Sequence, residues 1–167
     1  MKKITYWAPC LDKVGTYKAV INSALSLTKY SSDLVNISIV NACGEWDDKK
    51  DFFKKNNIKV IDLSFSYFRF LPKTGYLGSR FSYLIISLIS IFPLIRFLIK
   101  YRPSYFIGHL ITSLPLVLFG LFNFNSKFVL RISGYPKLNL FRRYLWKYFS
   151  SKIYKVTSPS KDLQSQL

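Results

Sequence analysis

Short, continuously apolar segments alternate with helical segments along this chain, and the alternation constrains the fold more than any other feature. Six segments are predicted as strands, at 3–9, 36–43, 59–65, 105–110, 127–133 and 152–160. Helices are predicted at 16–30, 47–57, 79–101, 112–122 and 138–150, and one more begins near residue 160. Strands that are apolar on both sides belong to a parallel sheet covered on both faces. The sequence therefore predicts an α/β fold, a doubly wound, Rossmann-like, three-layer domain with a mainly parallel sheet of about six strands.

The composition fits one globular domain. Half of the residues are hydrophobic and 18% are aromatic, which supplies a core for a single domain over residues 1–167. Cys10 and Cys43 lack the spacing of zinc or redox motifs, so we predict small, buried, reduced thiols in a reducing compartment. Met1 and two lysines run straight into the first predicted strand, so no secretory leader is predicted. Together these features predict a cytoplasmic location.

The charge is strongly positive, with 25 basic and 8 acidic side chains and a net charge of +17. Beyond Leu63, fifteen basic residues are accompanied by a single acid, Asp162. A field of this sign attracts nucleic acids, anionic lipid headgroups or phosphorylated ligands. The basic residues are scattered among large aliphatic residues and not gathered on a polar recognition helix. We therefore expect an anionic membrane surface as a partner and no nucleic acid, and a nucleic-acid-binding domain stays open as a third interpretation.

The helix predicted at 79–101 is the most apolar part of the chain. Residues 81–95 carry no charge, with Arg80 and Arg96 at the two ends and Pro93 inside. A membrane span requires about 20 apolar residues, so a core helix or a helix in a membrane interface fits better than a single-pass anchor. We predict both roles, with one side facing the core and one end touching the membrane. The predicted membrane-contacting residues are Tyr67, Phe68, Arg69, Arg80 and Arg96.

Ligands of open parallel sheets bind beyond the carboxyl ends of the strands. The loops at those ends contain the only histidine, His109, and four other residues that we predict to bind substrate, which are Gly15, Thr16, Ser133 and Gly134. Plainer alternatives stay open for three of them. His109 is also typical of a core histidine, and Gly15 and Gly134 are also typical of ordinary loops and turns.

Other chemistry is not indicated at these loops. The first loop, CLDKVGTYKA, lacks G-x-G-x-x-G, so a dinucleotide cofactor is not predicted. Glu45 and Asp47 are interpreted as part of a charged, solvated loop. No acid pair, nucleophile triad or metal cluster can be assembled around His109, so we predict no metal and assign no catalytic residue.

Three patterns, in order along the chain, resemble the N-terminal half of family 4 glycosyltransferases, which have the GT-B fold. They are RPSYFIGHL at 102–110, LRISG at 130–134 and SKIYKVTSPSKDL at 151–163. The corresponding family patterns are P-D-[VI]-[IV]-H-x-H, a strand ending near H-G, and D-x-[VI]-x-x-x-S before a helix. With the opening KITYWAP strand, the resemblance covers essentially the whole chain.

The resemblance implies an enzyme of two Rossmann-like domains that face a cleft. The N-terminal domain binds the acceptor, and the C-terminal domain binds the nucleotide-sugar donor and carries an E-x7-E motif. This sequence matches the first domain, so we expect the acceptor-binding half with the C-terminal domain as its missing partner. It is expected to transfer no sugar alone and to hold no cofactor, since the nucleotide sugar is the donor substrate of the complete enzyme.

The resemblance also implies roles for single residues. His109 matches the last histidine of the first pattern and is expected to shape the acceptor pocket. Ser133 stands where the family often has a histidine, and Val14-Gly15 replaces a glycine pair. The expected acceptor is membrane-associated or a cell-envelope polysaccharide, with the domain peripheral at the inner face of the cell membrane. The alternative is a non-catalytic basic domain that binds the membrane surface.

Overall fold

The computed structural model describes residues 1–13, 15–31, 33–73, 75–132 and 140–158. The strands are β1 (Lys2–Trp7), β2 (Val35–Asn41), β3 (Lys59–Asp62), β4 (Tyr105–Gly108), β5 (Lys127–Arg131) and β6 (Ile153–Thr157). The helices are α1 (Gly15–Ser31), α2 (Lys50–Lys55), α3 (Tyr76–Tyr101), α4 (Ser113–Leu121) and α5 (Leu140–Phe149). Short 3-10 turns lie at Asp47–Lys49, Phe68–Phe70 and Ser150–Lys152. The helix predicted near residue 160 lies outside the described residues.

All six strands are parallel, in the order β3-β2-β1-β4-β5-β6. The predicted α/β, Rossmann-like fold is therefore confirmed. Because every strand runs the same way, all strands end at one edge of the sheet, here called the carboxyl edge, and begin at the opposite amino edge. The strand order reverses between β1 and β4, which is the point at which open parallel sheets bind ligands.

Each face of the sheet has its own hydrophobic core, because successive side chains of a strand point to opposite faces. Tyr6 of β1 packs with buried residues of α1 and α2, including Val20 and Phe53. Its neighbour Trp7 packs in the other core with buried residues of α3 and α4, including Leu94. Right-handed crossovers place α1 and α2 on the first face and the later helices on the second.

The long helix α3 has clear boundaries. It begins after Gly75, which has a positive φ of 84°, and it contains 26 residues. At its end Arg102 adopts the left-handed conformation, and the Arg102 amide donates to the Leu98 carbonyl. Pro103 follows and prevents the helix from continuing. The helix thus starts three residues before the predicted residue 79 and ends where the sequence predicts.

Two of the predicted membrane-contacting residues are not available at the surface. Tyr67 and Phe68 are only 6% and 9% exposed, and both belong to the core under α3. Their amides donate to the Cys43 carbonyl at 2.9 and 2.8 Å, which turns the two rings inward. The prediction that Tyr67 and Phe68 contact a membrane is therefore wrong for these two side chains. The exposed rings of this segment are those of Phe65 and Phe70.

Candidate functional site

A polar pocket of about 250 Å³ lies at the carboxyl edge, where the loops after β1, β2 and β3 meet. The first loop contributes Lys13. The second contributes Gly44, Glu45, Asp47 and Asp48, and the third contributes Ser66, Phe68, Arg69 and Lys73. We call these nine residues the carboxyl-edge pocket. It lies at the edge of the sheet where this fold binds ligands, on the β2–β3 side of the switch point between β1 and β4.

Gly44 allows the second and third loops to approach each other. Its φ is +99°, a conformation that side-chain-bearing residues rarely adopt. A Cβ at this position would overlap the Ser66 hydroxyl and would lie 2.9 Å from an Asp47 carboxylate oxygen. Trp46 anchors the same loop, because its fully buried ring stacks on Tyr17 at a centroid distance of 4.5 Å.

Asp47 is the centre of a hydrogen-bond network on one wall of the pocket. Its carboxylate accepts hydrogen bonds from the Asn41 side-chain amide at 2.8 Å, from the Ser66 hydroxyl at 2.6 Å and from the Lys50 ammonium at 2.8 Å. Burial raises the pKa of Asp47, but the donors Lys50, Ser66 and Asn41 outweigh it and hold that pKa below its ordinary value. Asp47 is therefore an ionised acceptor at neutral pH.

The pocket also contains cations. Lys13 bridges the first and second loops through an ion pair with Asp48 at 2.6 Å. Lys73 lies 4.1 Å above the centre of the Phe68 ring. Neither Arg69 nor Lys73 has an acidic partner among the residues that the structure describes. Carboxylates accept hydrogen bonds from hydroxyl groups, and cations bind phosphate or carboxylate groups. The arrangement therefore suits a ligand that carries both hydroxyls and an anionic group.

Glu45 is buried, so the interpretation of this residue as part of a solvated loop is wrong. Its side chain is 1% exposed, and it accepts from the Ala42 and Cys43 amides at 3.0 and 2.8 Å and from the Cys43 thiol at 3.2 Å. The turn after β2 leaves these amides without sheet partners, and the carboxyl group satisfies them. Burial raises the pKa of Glu45, and the donated hydrogen bonds reduce that effect. Glu45 therefore holds the loop together from inside, and only Asp47 of the predicted pair is exposed.

The two cysteines are buried and free, as predicted. Burial, with a smaller contribution from the charge of Glu45, raises the pKa of Cys10 to about 12. Burial also raises the pKa of Cys43, and Glu45 adds to the effect. Both thiols are therefore protonated and unreactive at neutral pH.

His109 lies at the carboxyl edge but does not line the carboxyl-edge pocket. Its amide extends the β1–β4 pairing by donating to the Trp7 carbonyl at 2.9 Å. The imidazole is 4% exposed, its centre lies 5.8 Å from that of the Tyr6 ring, and neither ring nitrogen has a hydrogen-bond partner in the described ranges. Burial, aided by the charge of Arg131, lowers the pKa of His109 to about 4. The ring is therefore neutral at physiological pH.

Gly15 and Thr16, which the sequence also predicts to bind substrate, do not line this pocket. Gly15 is the exposed first residue of α1, and a Cβ there would meet no atom within 4 Å, so the structure shows no steric need for glycine. Thr16 follows it and is half-buried. Ser133 and Gly134 lie outside the described residues. The pocket instead contains Lys13 and Ser66, which the sequence analysis did not select and whose only signal was their position after a predicted strand.

A second notable surface runs along α3. Six large apolar side chains, spaced three, four or seven residues apart, face outward and are each more than half exposed. They are Leu77, Phe81, Leu84, Leu88, Phe92 and Ile99, and we call them the α3 stripe. The opposite side of the helix is buried and includes Ser82, Ile86 and Ser90. The large apolar residues therefore face solvent while two small polar ones face the core, which reverses the usual distribution.

By length and composition, one helix in the described part of the chain could cross a membrane. This helix is Leu77–Tyr101, and 33% of its most apolar window is buried within the domain. Arg69, Arg80 and Arg96, which the sequence predicts to contact a membrane, are exposed. Phe65 and Phe70 are 71% and 86% exposed and add apolar surface near Arg69.

Comparison with known proteins leaves the family unassigned. No model of a protein family matches the sequence. The search of curated proteins found no match either. No group of three or more His, Cys, Asp or Glu side chains that could hold a metal ion was found among the described residues. The chain is thus a Rossmann-like α/β domain with a six-strand parallel sheet and a polar pocket at its carboxyl edge.

Proposed function

We propose that this domain is the acceptor-binding half of a glycosyltransferase and that the acceptor binds in the carboxyl-edge pocket. The observation that carries the proposal is the meeting of ionised Asp47 with the cations Arg69 and Lys73 at the edge where this fold binds ligands. A sugar offers hydroxyl groups to the carboxylate, and a phosphorylated or lipid-linked sugar offers phosphate to the cations. The resemblance to family 4 glycosyltransferases supports the same assignment.

The chemistry of sugar transfer divides naturally between two domains. The acceptor hydroxyl oxygen bonds to the anomeric carbon, and the bond from that carbon to the nucleotide diphosphate breaks. The hydroxyl proton passes to water or to the departing diphosphate. This domain would orient the acceptor hydroxyl, which lowers the entropic part of the barrier. The donor-binding domain would stabilise most of the charge on the leaving diphosphate. In this proposal the domain described here binds the acceptor, and sugar transfer also requires a donor-binding domain.

The proposal places the protein at the inner face of the cell membrane, as a peripheral protein acting on a membrane-associated or polysaccharide acceptor. The net charge of +17 favours an anionic surface. The role of His109 in shaping an acceptor pocket stays a prediction from the resemblance, because its buried ring does not line the carboxyl-edge pocket. Ser133 and Gly134 stay predictions as substrate-binding residues, as do Gly15 and Thr16.

Titration calorimetry with N-acetylglucosamine 1-phosphate tests the proposed acceptor site. We expect the phosphorylated sugar to bind and N-acetylglucosamine itself to bind about tenfold more weakly, because it lacks the anion. Arg69→Gln should weaken binding of the phosphorylated sugar by about tenfold for the same reason. Arg143→Gln, which removes an exposed arginine on α5, is the matched control and should bind like the wild type.

Two results would count against the acceptor site. One is no heat of binding from either sugar at millimolar concentration. The other is an equal loss of affinity in Arg69→Gln and Arg143→Gln, because it would mean that net charge alone attracts the phosphate.

A second candidate function is a non-catalytic domain that binds the membrane surface, which the α3 stripe favours. This candidate can be distinguished from the acceptor-binding proposal, because it predicts binding to anionic vesicles and no binding of N-acetylglucosamine 1-phosphate. Retention of the protein on DNA or RNA in a gel shift at physiological salt would instead favour the nucleic-acid interpretation.

A further inference from the structure

We propose that the amino edge of this domain holds a binding site for one anionic phospholipid and that the α3 stripe lies in the plane of the membrane beside it. The site shares no lining residue with the carboxyl-edge pocket. The two surfaces come nearest at Asp62, the last residue of β3, whose donors Asn41 and Lys50 also bind Asp47. The inference goes beyond the acceptor site and does not depend on it.

The lipid site is an open groove of about 650 Å³ between β3 and the second half of α3. It runs from Asp62 and Leu63, at the carboxyl end of β3, to Lys3 and Lys100 at the amino edge, where the headgroup would bind. Apolar side chains line it, namely Ile61, Leu63, Phe92, Pro93 and Phe97. Three basic side chains also line the groove, namely Lys3 from β1 and Arg96 and Lys100 from α3. We call this set, together with Asp62 and Tyr101, the amino-edge groove. An apolar lining with basic groups matches an acyl chain that carries an anionic headgroup.

The acid in the groove already has two donors, although it shares the Lys50 ammonium with Asp47. Asp62 forms an ion pair with Lys50 at 3.0 Å and accepts a hydrogen bond from the Asn41 side-chain amide at 2.6 Å. Arg96 and Lys100 have no acidic partner within the part of the chain that the structure describes. Their charges are therefore available to a phosphate group.

More positive charge gathers around Tyr101. Lys3 donates to the Tyr101 carbonyl at 3.4 Å and lies 5.1 Å from the centre of its ring. Lys59 lies 6.0 Å from the same ring centre. The amino edge thus presents several lysines and arginines around an apolar groove, which favours a negatively charged amphiphile over a neutral one.

The groove and the α3 stripe are continuous. Phe92 lines the groove and is 81% exposed, so it belongs to both surfaces. A bilayer that covers the stripe would bring acyl chains to the groove at Phe92. Basic residues lie along the stripe, including Arg80 near its start and Arg96 and Lys100 near its end. This charge identifies an anionic membrane as the occupant of the stripe.

The buried side of α3 decides how the helix meets the membrane. Ile86, Leu94 and Leu98 on that side are at most 1% exposed and belong to the core of the domain. A helix that crossed the bilayer would have to leave this core. We therefore place α3 parallel to the membrane surface, with the stripe in the interface and the core side on the sheet.

Vesicle flotation of the whole chain tests the lipid site. We expect binding to vesicles of phosphatidylcholine with 30% phosphatidylglycerol and little binding to phosphatidylcholine alone. The double variant Arg96→Gln, Lys100→Gln should bind the anionic vesicles roughly thirty-fold more weakly. Lys147→Gln, Lys152→Gln removes the same charge from exposed residues outside the groove and is the matched control. Its affinity for the anionic vesicles should fall by less than about threefold, because the two substituted lysines do not line the proposed lipid site.

A second pair of variants tests the apolar part without disturbing the core. Phe92→Ser should weaken vesicle binding by about tenfold, while Tyr148→Ser, at a ring that is 71% exposed on α5, should leave it unchanged. Circular dichroism should show all variants folded, because the substituted side chains are at the surface.

Short-chain phosphatidylglycerol below its micelle concentration separates a lipid site from simple phosphate binding. We expect it to saturate one site and glycerol 3-phosphate not to compete. Equal losses in the two double variants, competition by glycerol 3-phosphate, or a dimer in sedimentation with no vesicle binding would each overturn the proposal. None of these results would alter the expected binding of the sugar phosphate, so the two proposals can fail separately.

Discussion

Between pH 6.5 and pH 4, His109 alone is expected to remove about 3 kcal/mol from the free energy of unfolding. Burial lowers the pKa of His109 from 6.5 to about 4 in the folded domain. Below pH 6.5 the unfolded chain binds a proton at this residue while the folded domain does not, so stability falls as the pH falls. The loss is complete near pH 4, and each pH unit between the two pKa values is worth about 1.4 kcal/mol.

The environment of the ring explains the size of the effect. The imidazole is 4% exposed, its ring neighbour is Tyr6, and the charge of Arg131 opposes a second positive charge. The Tyr6 hydroxyl is already bonded to Ser23 at 2.8 Å, so it does not hold the imidazolium form. Nothing within the described ranges therefore compensates the burial of a charged ring.

Urea unfolding at pH 7, 5.5 and 4.5 measures the effect, with His109→Phe as the comparison. The variant keeps an aromatic ring at a site where both ring nitrogens lack partners in the described structure, so we expect it to fold. Its stability should fall less steeply than that of the wild type over this range. Titration of the single histidine by proton NMR gives the folded pKa directly. Parallel stability curves, or a histidine pKa near 6.5, would refute the assignment.

Gly44→Ala is expected to destabilise the domain by about 2–5 kcal/mol. The substitution forces a side chain into the left-handed region, which costs about 1–2 kcal/mol. The new methyl group also overlaps the Ser66 hydroxyl and approaches Asp47, and overpacking of this kind costs about 1–3 kcal/mol. The second and third loops of the carboxyl-edge pocket should separate, so binding of N-acetylglucosamine 1-phosphate should weaken as well.

Gly15→Ala is the control for this substitution. A Cβ at Gly15 meets nothing within 4 Å and lies at the start of α1, so we expect a change within about 1 kcal/mol of the wild type. Urea unfolding of the three proteins at pH 7 gives the comparison. Equal stability of Gly44→Ala and Gly15→Ala would show that the close approach at Gly44 is not a feature of the protein in solution.

The fold could be predicted from sequence because its signals are local. Runs such as NISIVNAC and KFVLRIS are apolar on both sides, and that property follows directly from burial between two helical layers. The strand boundaries were less accurate, since the predicted strand at 36–43 ends at Asn41 in the structure. Its last two residues turn away to donate their amides to Glu45, a contact that local patterns do not encode.

The candidate site could be predicted only in part. Parallel topology predicts that the loops after the strands share one edge, but the meeting of Lys13, Asp47 and Ser66 depends on the close approach at Gly44. The same limit applies to α3. That helix is apolar on all sides, so its sequence does not tell which side faces the core, and its buried side contains Ser82 and Ser90. The stripe could be found only once the sheet had been placed against the helix.

Residue-resolved NMR tests the proposed acceptor site most directly. Uniformly ¹⁵N-labelled protein would be titrated with N-acetylglucosamine 1-phosphate, and the amide shifts would be mapped onto the sheet. We expect saturable shifts at Lys13, Gly44, Ser66 and Arg69, with Lys100 and Arg102 at the amino edge unchanged. Shifts confined to the amino edge, or no saturable shift at any assigned amide, would contradict an acceptor site in the carboxyl-edge pocket.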